Sequence, residues 1–199
     1  AFLLSLSSCE DWLNVNVDPD NPNDQSATPE IRLPWIQHYY MYAWGTANTR
    51  SSFIAGILTY NFVAANSNSR LAAWNPIQAS CTTIYQNWFL GAAVNLNPLI
   101  ARAEESGAYH YIGAAYCIKA MGFLMMLDLH GEMPYTEAMT GKYNPAYDQG
   151  EVIYNGCMAD LDKAIEYLSM TQEAGAPALA EGDSWNGGDV NKWIKLCYG

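Results

Sequence analysis

Residues 66 to 75 read Asn66-Ser67-Asn68-Ser69-Arg70-Leu71-Ala72-Ala73-Trp74-Asn75. Asn66, Asn68, Arg70 and Asn75 carry donors and acceptors able to read hydroxyl groups, and Trp74 offers a flat apolar ring on which a sugar face can stack. This stretch is the candidate ligand-binding segment. A Trp beside a helix start also serves as a packing anchor, and residue type alone leaves both roles open. A second cluster, Asp128, Glu132 and Glu137, follows a long apolar stretch. Glycoside hydrolysis needs two carboxylates across one cleft, one with a raised pKa, whereas acids in a turn also cap and solvate it. The second account is the simpler one. His38, His110 and His130 have no metal or triad spacing, and the chain lacks HExxH, GxSxG and a phosphate loop, so no catalytic residue, metal or cofactor is expected. Asp18 and Asp20 have the spacing of a calcium loop, but Pro22 takes the third ligand position and Pro29 the closing Glu position, which excludes an EF-hand. The cysteines Cys9, Cys81, Cys117, Cys157 and Cys197 form no CxxC pair, and the last four fall in apolar helical patterns as small buried hydrophobes.

The elements that must hold these residues are helices. Of 199 residues half are hydrophobic and only 15% charged, so a sizeable core is available. Nine Lys+Arg against 20 Asp+Glu leave a net charge of −11, which excludes nucleic acid as a partner because phosphate binding needs clustered cations. Thr28 as N-cap with Pro29 at the first position starts a helix to about Tyr42, kinked at Pro34, and a separate apolar stretch covers Thr46 to Val63. Residues 66–75 read as a loop. After Pro76 one long helix runs to Glu105, and another covers about Ala108 to Leu129, apolar almost all round. Lys119 at its centre makes membrane insertion costly and points to a helix sandwiched between others. Asp148 then reads as the cap of a helix over Glu151–Ser169, and Asp189 as the cap of another with no stop signal before Gly199. Nothing alternates with period two over a useful length. The fold class expected is all-α, built from antiparallel helix pairs with tetratricopeptide-like repeats and long loops. The unfinished last helix reads as an N-terminal portion of a longer protein.

The start, Ala1-Phe2-Leu3-Leu4-Ser5-Leu6-Ser7-Ser8-Cys9, looks like the end of a secretory signal. Its last four residues resemble a lipobox, which implies lipid attachment at Cys9. Glu10-Asp11 resembles the export signal of surface lipoproteins. Three segments are expected: residues 1–9 as signal remnant, 10–28 as an extended tether and 29–199 as the helical domain.

Several stretches together resemble the SusD/RagB family of outer-membrane lipoproteins, closest to its SusD-like branch. They are the leader through Asp18-Pro19-Asp20-Asn21-Pro22, the segment Ile84-Tyr85-Gln86-Asn87 with Asn95 and Asn97, the turn Asp128-Leu129-His130-Gly131-Glu132-Met133-Pro134-Tyr135-Thr136-Glu137-Ala138, and Gly187-Gly188-Asp189-Val190-Asn191-Lys192-Trp193. His130 departs from the pattern, where Tyr or Trp is usual. The resemblance implies a surface-exposed lipoprotein of the outer membrane, without catalysis, that binds glycans or oligopeptides and delivers them to a SusC-like TonB-dependent porin. The alternative is a helical-repeat scaffold of the outer membrane whose only ligand is another protein, and a glycosidase ranks third.

Overall fold

The computed structural model describes residues 27–59 and 67–199, with side chains for 27–59 and 70–199. Cys9, Asn66, the signal remnant and nearly all of the tether lie outside the described residues. The helices are α1 (Pro29–Ile54), α2 (Ser67–Ala72), α3 (Ala79–Gln86), α4 (Leu96–Glu105), α5 (Tyr109–His130), α6 (Gly150–Ser169) and α7 (Val190–Tyr198). Among the described residues there is no strand, only an isolated bridge between Met133 and Asp148, so the all-α expectation holds.

The first correction concerns α1, which is one helix of 26 residues where two were expected. Its buried face, Leu33, Ile36, Gln37, Tyr40, Ala43 and Ala47, continues past the Ala43-Trp44-Gly45-Thr46 stretch that reads as a break. Burial of Ala43 and Ala47 carries the helix through Gly45, a residue that costs about 1 kcal/mol relative to Ala inside a helix. Thr46 and Thr49 add little disruption, because their hydroxyls donate to the carbonyls of Tyr42 and Gly45 at 2.8 and 2.9 Å. Pro34 falls near the start, so the ladder loses only one early bond. The carbonyl of Glu30, four residues back, instead faces Gly182, where a Cβ would approach that oxygen to 2.8 Å.

The second correction is the helix expected after Pro76. It is α3 and α4 joined by a π-helical turn, Asn87–Ala92, and a short 3-10 turn, Ala93–Asn95. The cause is a close crossing by α1. A Cβ at position 91 would collide with the ring of Tyr39, and the Gly91 carbonyl accepts from the Trp35 indole at 3.1 Å and the Asn95 amide at 2.9 Å. A π-turn frees a carbonyl for such donors. Buried Arg32 donates to Asn95 Oδ1 at 3.2 Å, so pairs 32/95 and 40/88 run antiparallel. Trp88 fills the centre, edge-on to Tyr40 and Phe123, against Gly122, where a Cβ would strike the indole.

Helix α5 is long and apolar enough to cross a membrane by length and composition. It is instead covered by α1, α4, α6 and α7. With α6 it makes an antiparallel pair, as contacts of Gly113 with Leu168, Tyr116 with Tyr167 and Gly150 with Leu127 require. Lys119 meets Asp160 of α6 at 2.8 Å, and Asp160 also accepts from the Tyr135 hydroxyl at 2.7 Å. Burial pushes the Tyr135 phenol up, and its bond to Asp160 pushes it the same way.

Two capping expectations divide. Asp189 caps α7, accepting from the N–H groups of Asn191 and Lys192 at 3.0 and 3.2 Å. Asp148 does not cap α6, whose N-cap is Gln149 without a side-chain bond. Its carboxylate reaches back to the N–H groups of Tyr135 and Thr136 at 2.9 and 2.8 Å. Of the four cysteines expected to be buried, Cys117, Cys157 and Cys197 are, whereas Cys81 is exposed on α3.

Candidate functional site

Residues 67–75 are a short helix and its C-terminal turn rather than a loop. Residues 67 to 72 form α2, and the chain leaves it through a Schellman motif. Asn75 N–H donates to the Arg70 carbonyl at 2.8 Å, and Trp74 N–H to the Leu71 carbonyl at 3.0 Å. Leu71, buried, anchors the helix to the core. The motif demands a left-handed residue at the first position past the helix cap, usually Gly. Here that residue is Trp74, with φ 54°. For a bulky side chain this is an outlier that the surroundings must sustain.

The indole so placed is 76% exposed. Among the described residues no ring packs on Trp74. Asn75 beside it is exposed and Arg70 half-buried. The backbone of Asn68 lies in α2, and its side chain is outside the described residues, as is all of Asn66. Of the five proposed ligand residues, Arg70, Trp74 and Asn75 are therefore brought together at one helix end.

The acidic cluster is built differently. Asp128 and Glu132 are exposed. Glu137 accepts from Lys142 Nζ at 2.6 Å and from the Ala146 N–H at 2.7 Å, and these bonds hold its carboxyl below the usual range. A glycosidic acid needs the opposite shift. Asp148 is also low: desolvation raises its pKa, but the N–H groups of Thr136 and Tyr135 and the Thr136 hydroxyl outweigh that. Both carboxylates tie the 131–149 segment to itself, while the Tyr135 hydroxyl holds it to Asp160 of α6.

A second concave feature, absent from the sequence reading, lies between α1 and α3. It is a cavity of about 420 Å³ lined by Tyr42, Gly45, Thr46, Thr49, Arg50 and Thr83. Its α1 residues recur at positions 42, 45, 46 and 49, the spacing of one helical face. That signal was present in the sequence but reads as a helix break. Helix α2 packs on both α1 and α3, so the same two helices carry the Trp74 turn and wall this cavity.

Among the described residues no group of three or more His, Cys, Asp or Glu is placed to hold a metal. Comparison with known families matches residues 27–198 to the SusD-like_2 model, described as "Starch-binding associating with outer membrane". Comparison with curated proteins gives no match.

Proposed function

Because the chain belongs to the SusD-like family, described as starch-binding and associating with the outer membrane, we propose that it captures glycans at the cell surface and passes them to a SusC-like TonB-dependent porin. Anchoring would come from a lipid on Cys9, and the chemistry is binding without catalysis. The supporting observation is Trp74: a bare indole held in a backbone conformation that a Gly would adopt without strain. A side chain kept at such a position against its own backbone preference calls for a role outside the fold, and sugar stacking is what an exposed Trp beside Asn75 and Arg70 does well.

Trp74→Gly tests this without risk to folding, since Gly is the preferred residue there. The variant is expected to gain about 1 kcal/mol of stability, because the left-handed penalty disappears. Its affinity for maltooligosaccharides, read by isothermal titration, is expected to fall at least about tenfold, the loss of about 1.4 kcal/mol that one ring contact accounts for. Unchanged affinity would remove Trp74 from the site. A protein that binds neither glycan nor peptide while a porin still co-purifies would favour the scaffold reading instead.

A further inference from the structure

The surface cavity between α1 and α3 has three features that helix packing does not explain. The first is Gly45. Four other glycines inside helical segments are forced by packing: a Cβ at Gly91, Gly113, Gly122 or Gly156 would collide with Tyr39, Leu168, Trp88 or Tyr135. At Gly45 an added Cβ meets nothing within 4 Å, and the residue is not in the left-handed region. The helix therefore accepts a poor helix former without a packing reason, and the space left open is cavity. The second feature is Arg50, whose Nη1 is buried with no hydrogen-bond partner. None of the described residues lining the cavity carries a carboxylate. A guanidinium stays protonated, so among the described residues there this donor has no counter-charge. The third is the pair Thr46 and Thr49. Their protons are committed to backbone carbonyls, which leaves the hydroxyl oxygens as acceptors. Tyr42, more than half exposed, adds an apolar ring at the rim.

A cationic donor, hydroxyl acceptors and an aromatic wall, in a space of about 420 Å³ that admits a short saccharide, are the complement of one chemical class. We infer that this cavity is a subsite for a carboxylate-bearing sugar, a uronic acid unit of an acidic glycan, with Arg50 donating to the carboxylate and Thr46 and Thr49 accepting from ring hydroxyls. An acidic peptide would satisfy Arg50 but bring no hydroxyls for the threonines, so the sugar is the better match. With a net charge of −11 the protein repels anions overall, so an acidic ligand needs a local cation such as Arg50 to hold it. The inference rests on the glycan-binding reading and specifies its ligand.

The test is isothermal titration of the full chain with tetragalacturonate, maltotetraose and tetraglutamate. The wild type is expected to prefer tetragalacturonate over maltotetraose at least tenfold, with the preference shrinking as salt rises. Gly45→Leu, which fills the space from a compatible backbone, and Arg50→Gln, which removes an unpaired buried charge, are both expected to abolish the preference. Neither should lower the thermal unfolding midpoint, which separates lost recognition from lost folding. The inference is overturned if the two sugars bind equally, if the preference survives both variants, or if tetraglutamate competes equally for the cavity. Maltotetraose binding that remains sensitive to Trp74→Gly would then leave the glycan reading standing. Binding of no sugar at all would take both down.

Discussion

Asp183→Ala should destabilise the protein by about 3–5 kcal/mol, as expected when a buried charge-bearing network loses its acceptor. Asp183 is buried in the turn before α7, and its carboxylate is the meeting point of two distant parts of the chain. It accepts from the Gln37 amide of α1 at 2.8 Å and from the Trp193 indole of α7 at 2.8 Å. The N–H groups of Trp185, Asn186 and Gly188 donate to it at 3.0, 3.2 and 2.9 Å. Gln37 in turn accepts from the Ser184 N–H at 2.9 Å. Truncation leaves five donors without an acceptor, the Gln37 amide and the Trp193 indole buried and three N–H groups part-buried, and against a total stability of about 5–15 kcal/mol such a loss approaches unfolding. The stacked pair Trp185 and Trp193 would lose its tether to α1 at the same time.

The same carboxylate makes a prediction in pH. Desolvation raises the Asp183 pKa, but the Gly188 N–H, the Trp193 indole, the Gln37 amide and the Asn186 N–H together hold it below the ordinary carboxylate value. A folded pKa lower than the unfolded one gives stability that is present above about pH 4, the unfolded value, and lost as pH falls through the folded pKa. Urea denaturation of the wild type should therefore show stability declining below about pH 4. Asp183→Asn, being already uncharged, should lack that component of the decline and start from a lower value at pH 7. Equal stability of Asp183→Asn and wild type at pH 7 would mean that the negative charge is not what the five donors require.

What could be read from the sequence follows a physical division. Helices α5, α6 and α7 were legible because local rules decide them: an apolar run long enough to carry two glycines, a clean three-to-four stripe, and an Asp cap that bonds two residues on. The misreadings arise where a distant segment decides. Gly45 inside α1 looks like a break until Ala43 and Ala47 are seen buried on either side of it. The π-turn after α3 exists because Tyr39 presses on Gly91, a contact between residues 52 positions apart (91 − 39 = 52). Asp148 has the spacing of a cap but finds better donors in Tyr135 and Thr136, which a turn brings back to it. At the candidate site the residue type of Trp74 was informative, whereas its left-handed backbone follows from the Schellman exit of α2, a helix that reads as loop. Arg50 and its threonines carried no motif. Their grouping is a property of one helical face set against α3.

Asp160→Ala is the second large effect expected, and its partner variant decides what the ion pair is for. Asp160 is 5% exposed at its side chain and Lys119 20%, so truncating the acid strands a mostly buried ammonium and leaves the Tyr135 hydroxyl without its acceptor. A loss of about 3 kcal/mol is expected in urea denaturation. Replacing both charges, as in Lys119→Met with Asp160→Leu, removes the desolvation cost together with the attraction and should restore the part of that loss caused by the stranded ammonium, because such pairs roughly break even against apolar residues of similar volume. The wild-type pair would then contribute little net stability, and its value lies elsewhere. Without Lys119, α5 is a 22-residue apolar helix of mean hydropathy already at 1.5 in its best window. A central Lys adds about 2.5–3.5 kcal/mol against membrane insertion on biological scales. In an insertion assay of the 109–130 segment, Lys119→Met should therefore shift the helix toward the membrane-inserted form, while wild type is passed through. If the double variant folds as stably as wild type and its helix inserts more readily, the charge pair serves to keep an exported core helix out of the bilayer it must cross. If the double variant is as unstable as Asp160→Ala alone, the pair is a net stabiliser after all.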